Sequence, residues 1–168
     1  LALTDIFAAQ GGTDRWSSAL FESVSGFTTT GMTSLPVVED ASRGVLFFRA
    51  ATNWLGGLAA VISAIAILPF VTRTRDLVST DHTREVAGTL APTIDRGIVN
   101  VVRVYVAVTA LVVVAFMVTG IGVFDGLAYG LAVVSTGGFA THSASLWHEQ
   151  SPAAEWVAIA GMLVAGTN

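Results

Sequence analysis

Thr28-Thr29-Thr30-Gly31 and Ser135-Thr136-Gly137-Gly138 stand 107 positions apart and share one chemistry. Each is a run of hydroxyls and glycines without a carboxylate. Moving a dehydrated alkali cation requires replacing its hydration oxygens, which rings of backbone carbonyls do. Turning successive carbonyls to one axis needs dihedrals that glycine visits without steric cost, and Thr or Ser hydroxyls add a further oxygen. A surface turn uses the same residue types, so a lone tetrad reads as a turn. Two copies with matching flanks make a repeated unit.

The flanks are ALFESVSGFTTTGMTS and GLAYGLAVVSTGGFAT. Both begin with an apolar stretch too short to cross a bilayer. Both continue through the tetrad into a polar loop and then an apolar helix announced by tryptophan, Trp54 and Trp156. The unit reads as a short re-entrant helix, an extended loop and a spanning helix. Irregular backbone at membrane depth survives only when buried in protein or lining a watery cavity. The C-terminal end of each short helix, with its partial negative charge, favours a cation below the loop. Asp14 and Asp125 stand where a carboxylate can cap free amides, and Gly26 is expected to end or loosen the first short helix.

These elements predict an all-α membrane protein. Of 168 residues, 53% are hydrophobic and 12% charged, with mean hydropathy +0.71. Residues 50–72 and 104–124 carry no Asp, Glu, Lys, Arg or His, matching the roughly 20 residues a spanning helix needs. Spanning helices are expected at 45–70 and 98–120 and the start of another at 155–168, with short helices at 14–26 and 125–134 and loops at 28–32 and 135–139. Pro69 is placed to terminate or kink the first span. This gives an end of one repeat over 1–71, a linker over 72–97 and a second repeat over 98–168. The linker and its edge hold five of the eight arginines, which sets it on the cytoplasmic side and the tetrads' polar loops outside.

Other residues offer less. Glu22 is placed to pair with Arg49 or to hydrogen-bond behind the first tetrad. His142 and His148, near Glu149, lack the convergent spacing of a metal site. Ser25, Thr28 and Ser135 have neither a Gly-x-Ser-x-Gly elbow nor a base, so no enzyme is expected. Net charge of −4 excludes a nucleic-acid face. Without cysteine there is no disulfide or thiolate site. His82 and the linker arginines form a surface where a cytosolic partner could dock. The opening LALTDIFAAQGG has no signal-peptide pattern and no initiating methionine, as expected of a chain lacking an N-terminal portion.

FESVSGFTTTG, FFRAATNWLGGLAAVISAIAILPF and STGGFATHSAS resemble the Trk/Ktr/HKT superfamily of potassium transporters, most closely the Trk-type membrane subunit. The resemblance implies a K+-channel-like arrangement of four non-identical repeats around one pore, of which this chain holds the end of the first and most of the second. It assigns potassium binding to Thr28, Thr29, Thr30, Gly31, Ser135, Thr136, Gly137 and Gly138. Glycine rather than serine at 31 and 138 favours potassium over sodium. The potassium ion is cargo, and no covalently bound cofactor is expected. The implied setting is a multi-pass protein of the inner or plasma membrane, in contact with lipid. The implied partners are a second copy and a cytosolic NAD- or ATP-type nucleotide-binding regulatory subunit. The alternatives are a secondary transporter of another small solute or of sodium, built on broken helices, and a structural or sensor subunit without an ion path.

Overall fold

The computed structural model describes residues 15–76 and 86–167, with backbone alone for 15, 68–76 and 86–96. Asp14, His82 and Arg84 lie outside the described residues. Among the described residues all regular structure is helical. Helix α1 spans Arg15–Phe27, α2 Arg43–Asp76, α3 Val86–Val118, α4 Val123–Val134 and α5 Pro152–Gly166, with a 3-10 turn at Ser145–Glu149 before α5.

Two stretches have the length and composition to cross a bilayer, Arg43–Ile67 in α2 and Gly97–Val118 in α3. Helices α1 and α4, of 13 and 12 residues, reach only about 18–20 Å at 1.5 Å per residue, short of the roughly 30 Å hydrocarbon core. Helix α2 does not stop at Pro69; it runs on to Asp76. A missing N–H is tolerated in apolar helices, where neighbouring groups satisfy the freed carbonyl. Both long helices thereby extend into the stretch expected as a linker.

The chain divides into two compact units, Leu1–Gly57 with Val108–Asn168, and Leu58–Ala107. Both tetrads lie in the first. There, α1 buries Ala19, Glu22, Ser25 and Gly26 while exposing Trp16, Leu20, Val24 and Phe27. Helix α5 likewise buries Ala154, Ala158 and Gly161 and exposes Trp156, Leu163 and Val164. This ordering, small and polar inside with large apolar outside, reverses that of a water-soluble helix. It suits helices that pack closely through small residues inside a lipid or protein surround.

Ala19, Leu35, Val38, Ala41, Val45 and Leu46 form a small core, with Phe124 packed against it. It seats the loop that follows the first tetrad on α1 and the start of α2. Elsewhere Phe116 of α3 is fully buried and meets Tyr129 of α4 at 6.0 Å between ring centroids. Gly130 lets α4 lie directly on Val113 of α3. Trp54 Nε1 donates to Thr109 Oγ1 at 3.0 Å, tying α2 to α3.

Trp54 lies mid-helix in α2, whereas Trp156 sits in the second turn of α5. The two tryptophans are therefore not equivalent. Asp125 caps no amide as an N-cap: Gly122 holds that position without a side-chain bond. The carboxylate acts within the first turn of α4, where it complements the helix dipole.

Candidate functional site

Both tetrads begin where a short helix ends, and both end it the same way. The Thr28 N–H donates to Val24 O at 2.8 Å, Thr29 N–H to Gly26 O at 3.0 Å and Thr30 N–H to Ser25 O at 2.9 Å. In the second copy Ser135 donates to Leu131 O, Thr136 to Val133 O and Gly137 to Ala132 O, at 3.2, 3.0 and 3.0 Å. Each pattern is a helix cap closed by nested bonds around one left-handed residue. That residue is Thr29 at φ 54° and Thr136 at φ 53°. Glycine is the usual occupant, so a β-branched residue here is a strained choice.

Two residues on, Gly31 at φ 73° and Gly138 at φ 80° are also left-handed. The backbone repeat thus extends over the whole tetrad. Gly26 does not end α1, which continues through Phe27; a Cβ at 26 would meet Thr52 Oγ1 at 2.6 Å, so its bareness admits α2 instead.

The hydroxyls repeat as well. Thr28 Oγ1 donates to Val24 O at 2.8 Å, and Ser135 Oγ donates to Leu131 O at 2.9 Å. Each hydroxyl spends its hydrogen on its own helix, so in the first loop Thr28 Oγ1 is left to accept from Thr30. Thr28 and Thr30 hydroxyls lie 2.8 Å apart. Among the described residues, no hydrogen bond is made to the backbone carbonyls of residues 28–31 or 135–138. Donors turn back into the helices and acceptors are left over.

The two loops meet at Gly31 and Gly137. A Cβ on Gly31 would run into the carbonyl oxygen of Gly137, so the two loops touch backbone to backbone. A Cβ on Gly137 would run into the Asn53 side chain, whereas one on Gly138 would meet nothing within 4 Å. Helix α2 backs both loops; Gly56 lets it rest on the Phe27 carbonyl at the end of α1.

Glu22 and Arg49 form a buried ion pair behind the loops. Arg49 Nε stands 3.0 Å from Glu22 Oε2, with side chains 3% and 0% exposed. The contact is ionic without hydrogen-bond alignment. Glu22 Oε1 accepts from Thr33 Oγ1 and the Ser34 N–H, both at 2.6 Å. Ser25 Oγ donates to Met32 O at 2.6 Å. The backbone leaving the first tetrad is therefore held by α1 residues beneath it.

A cavity of about 290 Å³ opens beside Gly31, Gly138, Arg49, Phe139 and His142. At its edge Ser143 joins the two outer loops: its N–H and hydroxyl donate to Glu39 at 2.7 and 2.5 Å, while its Oγ accepts from the Val38 N–H at 3.1 Å. Ser143's hydroxyl and N–H pull the Glu39 carboxyl down to about 2. His142 and His148 stack face to face at 3.8 Å, with His142 Nδ1 3.1 Å from Thr141 Oγ1. Among the described residues no three His, Cys, Asp or Glu side chains converge as a metal site. Sequence reasoning missed Asn53 and Phe139, whose relevance appears only once the second loop is seen against α2.

Short capped helices, paired oxygen-bearing loops and two stretches long and apolar enough to cross a bilayer are the frame of a membrane protein. The match to the family described as TrkH, cation transport protein, runs over residues 6–168, and the chain belongs to that family. This is a transporter family and not an enzyme family. The chain is 31% identical over 157 residues to the Trk system potassium uptake protein TrkH of Escherichia coli K12, covering 90% of this chain and 32% of that protein. It is 32% identical over 153 residues to the TrkH of Halomonas elongata, covering 88% of this chain and 31% of that protein. The crystal structure of the potassium transporter TrkH from Vibrio parahaemolyticus superposes with TM-score 0.76 at 28% identity, over 90% of this chain and 30% of that one. The chain spans about a third of the length of the curated relatives it matches.

Proposed function

We propose that this chain supplies two of four filter segments in a potassium uptake protein. Residues 28–31 and 135–138 take potassium from outside, replace its water with backbone carbonyls and Thr or Ser hydroxyls, and pass it down its electrochemical gradient. One observation carries the reading. In both loops the leading N–H groups are bound back into the helix while no hydrogen bond is made to the carbonyls, which leaves a row of acceptor oxygens open to a cation. The ends of α1 and α4 direct their partial negative charge to the same region.

The relatives named as potassium uptake proteins support potassium as the cargo. In the same reading the protein is multi-pass in the inner or plasma membrane, the arginine-rich stretch near residues 72–97 faces the cytosol, and the assembly is a homodimer. A cytosolic subunit binding an NAD- or ATP-type nucleotide regulates it. Neither potassium binding nor these partners needs a covalent cofactor.

The test is uptake by the full-length protein reconstituted in liposomes. Rubidium flux in preference to sodium is expected, and Gly31→Ser or Gly138→Ser lowers that preference. Gly31→Ser also presses on Gly137, whereas Gly138→Ser has room, so the second isolates the backbone effect. Wild-type discrimination in both variants sinks the filter assignment.

A further inference from the structure

Two buried polar side chains are used by nothing in the filter reading as it stands. Asn53 is 0% exposed, and neither its Oδ1 nor its Nδ2 has a hydrogen-bond partner. Arg49, one turn earlier on α2, has an unpartnered Nη1. A buried polar group left without partners is destabilising, and an apolar side chain of similar size would not carry that cost. Their presence at this place calls for a reason.

Both residues bear on the second loop. The Arg49 guanidinium lies over the Phe139 ring at 4.3 Å from its centroid, directly after Gly138. The Asn53 carboxamide fills the space on Gly137 that a side chain would otherwise take. On its other flank the Gly137 carbonyl abuts Gly31. The same helix also holds the first loop, through Thr52 against Gly26, Gly56 against Phe27 and Arg49 against Glu22. Glu22 is in turn bound by Thr33 and Ser34, just beyond the first loop.

A continuous chain of contacts therefore runs from Ser34 through Glu22 and Arg49 to Phe139. Glu22 neutralises Arg49, so the guanidinium anchors Phe139 without presenting a net charge to a cation beside it.

We propose that Arg49 and Asn53 are positioning residues for selectivity, fixing the second loop against the first so that the carbonyls of both present one cage size. Arg49 does this through its guanidinium, centred 4.3 Å from the middle of the Phe139 ring; lysine keeps the charge and loses the broad delocalised group. Asn53 does it by filling the space beside Gly137. The proposal rests on the filter reading of residues 28–31 and 135–138.

The test uses the full-length protein in liposomes, with rubidium and sodium uptake measured separately for Arg49→Lys, Asn53→Leu, Phe139→Leu and the control Gly138→Ser. Stacking of a desolvated cation on an aromatic face is strong enough that its loss should lower the rubidium-to-sodium ratio about fivefold to tenfold. Rubidium uptake itself should stay within about twofold, because the carbonyls remain in place. Arg49→Lys and Phe139→Leu remove one contact from its two sides, so the double variant should fall no further than either alone. If Arg49→Lys does not accumulate in the membrane, Phe139→Leu tests the same contact. An unchanged ratio in Arg49→Lys, Phe139→Leu and Asn53→Leu overturns the proposal, and so does a proportional fall of both fluxes, which marks a merely structural role. If Gly138→Ser also leaves the ratio unchanged, the filter reading fails with it; if Gly138→Ser lowers the ratio while the others do not, the positioning role alone fails.

Discussion

Thr29 and Thr136 hold a left-handed backbone that β-branched side chains disfavour, at the same place in both loops. Strain of this sort costs on the order of 1–3 kcal/mol per residue and persists only where surrounding contacts enforce it. The nested cap bonds to Gly26 and Val133 are those contacts. Glycine at either position removes the strain but also frees the peptide to turn. Thr136→Gly is therefore expected to raise the thermal midpoint of the detergent-solubilised protein, by about 1 kcal/mol of stability at most, and to lower the rubidium-to-sodium uptake ratio. A rise in stability with full discrimination would show the threonine to be incidental. This strain is invisible in TTTG and STGG read as letters, because nothing in a threonine announces φ near 54°. The oxygen chemistry is legible there, and the geometry that presents it is not.

At the scale of helices and loops, Gly56 is where α2 comes to rest on the carbonyl of Phe27. Gly56→Ala is expected to destabilise the protein by about 1–3 kcal/mol, as overpacking does, read as a lower thermal midpoint. Gly166→Ala, with open space around it, should leave the midpoint unchanged. The outer loops make a different prediction. Glu39, held at about 2 against an ordinary 4.5 by Ser143, keeps its charge and its two bonds at all higher pH. Their contribution is complete above about pH 4.5 and is lost as pH falls towards 2. Spin labels at Asp40→Cys and Ala144→Cys, in a stretch without native cysteine, should report one separation from roughly pH 8 to pH 5 and a broader one in acid. The long helices were legible because charge-free runs of membrane length leave little choice. Pro69 and Asp125 misled because apolar surroundings tolerate a proline in mid-helix and a first-turn carboxylate need not be the cap. The bond between Glu39 and Ser143 joins residues 104 apart, beyond any local pattern.

At the scale of the whole chain, the backbone of one loop is repeated in the other while the side chains around it are not. Thr30 points a hydroxyl at Thr28, yet its counterpart Gly137 is bare because Asn53 occupies the space beside it. Helix α2 lies behind both loops but meets them with different residues, so the two copies have become dependent on one shared neighbour. Exchanging the loops should therefore fail in one direction only. Writing STGG over residues 28–31 removes a side chain from an open position, and rubidium uptake should survive. Writing TTTG over residues 135–138 drives a threonine into Asn53, and the protein should accumulate poorly in the membrane; equal yields from the two exchanges would count against this asymmetry. Likeness of backbone thus does not make the loops interchangeable, and Gly137 is the position at which the exchange is refused in one direction.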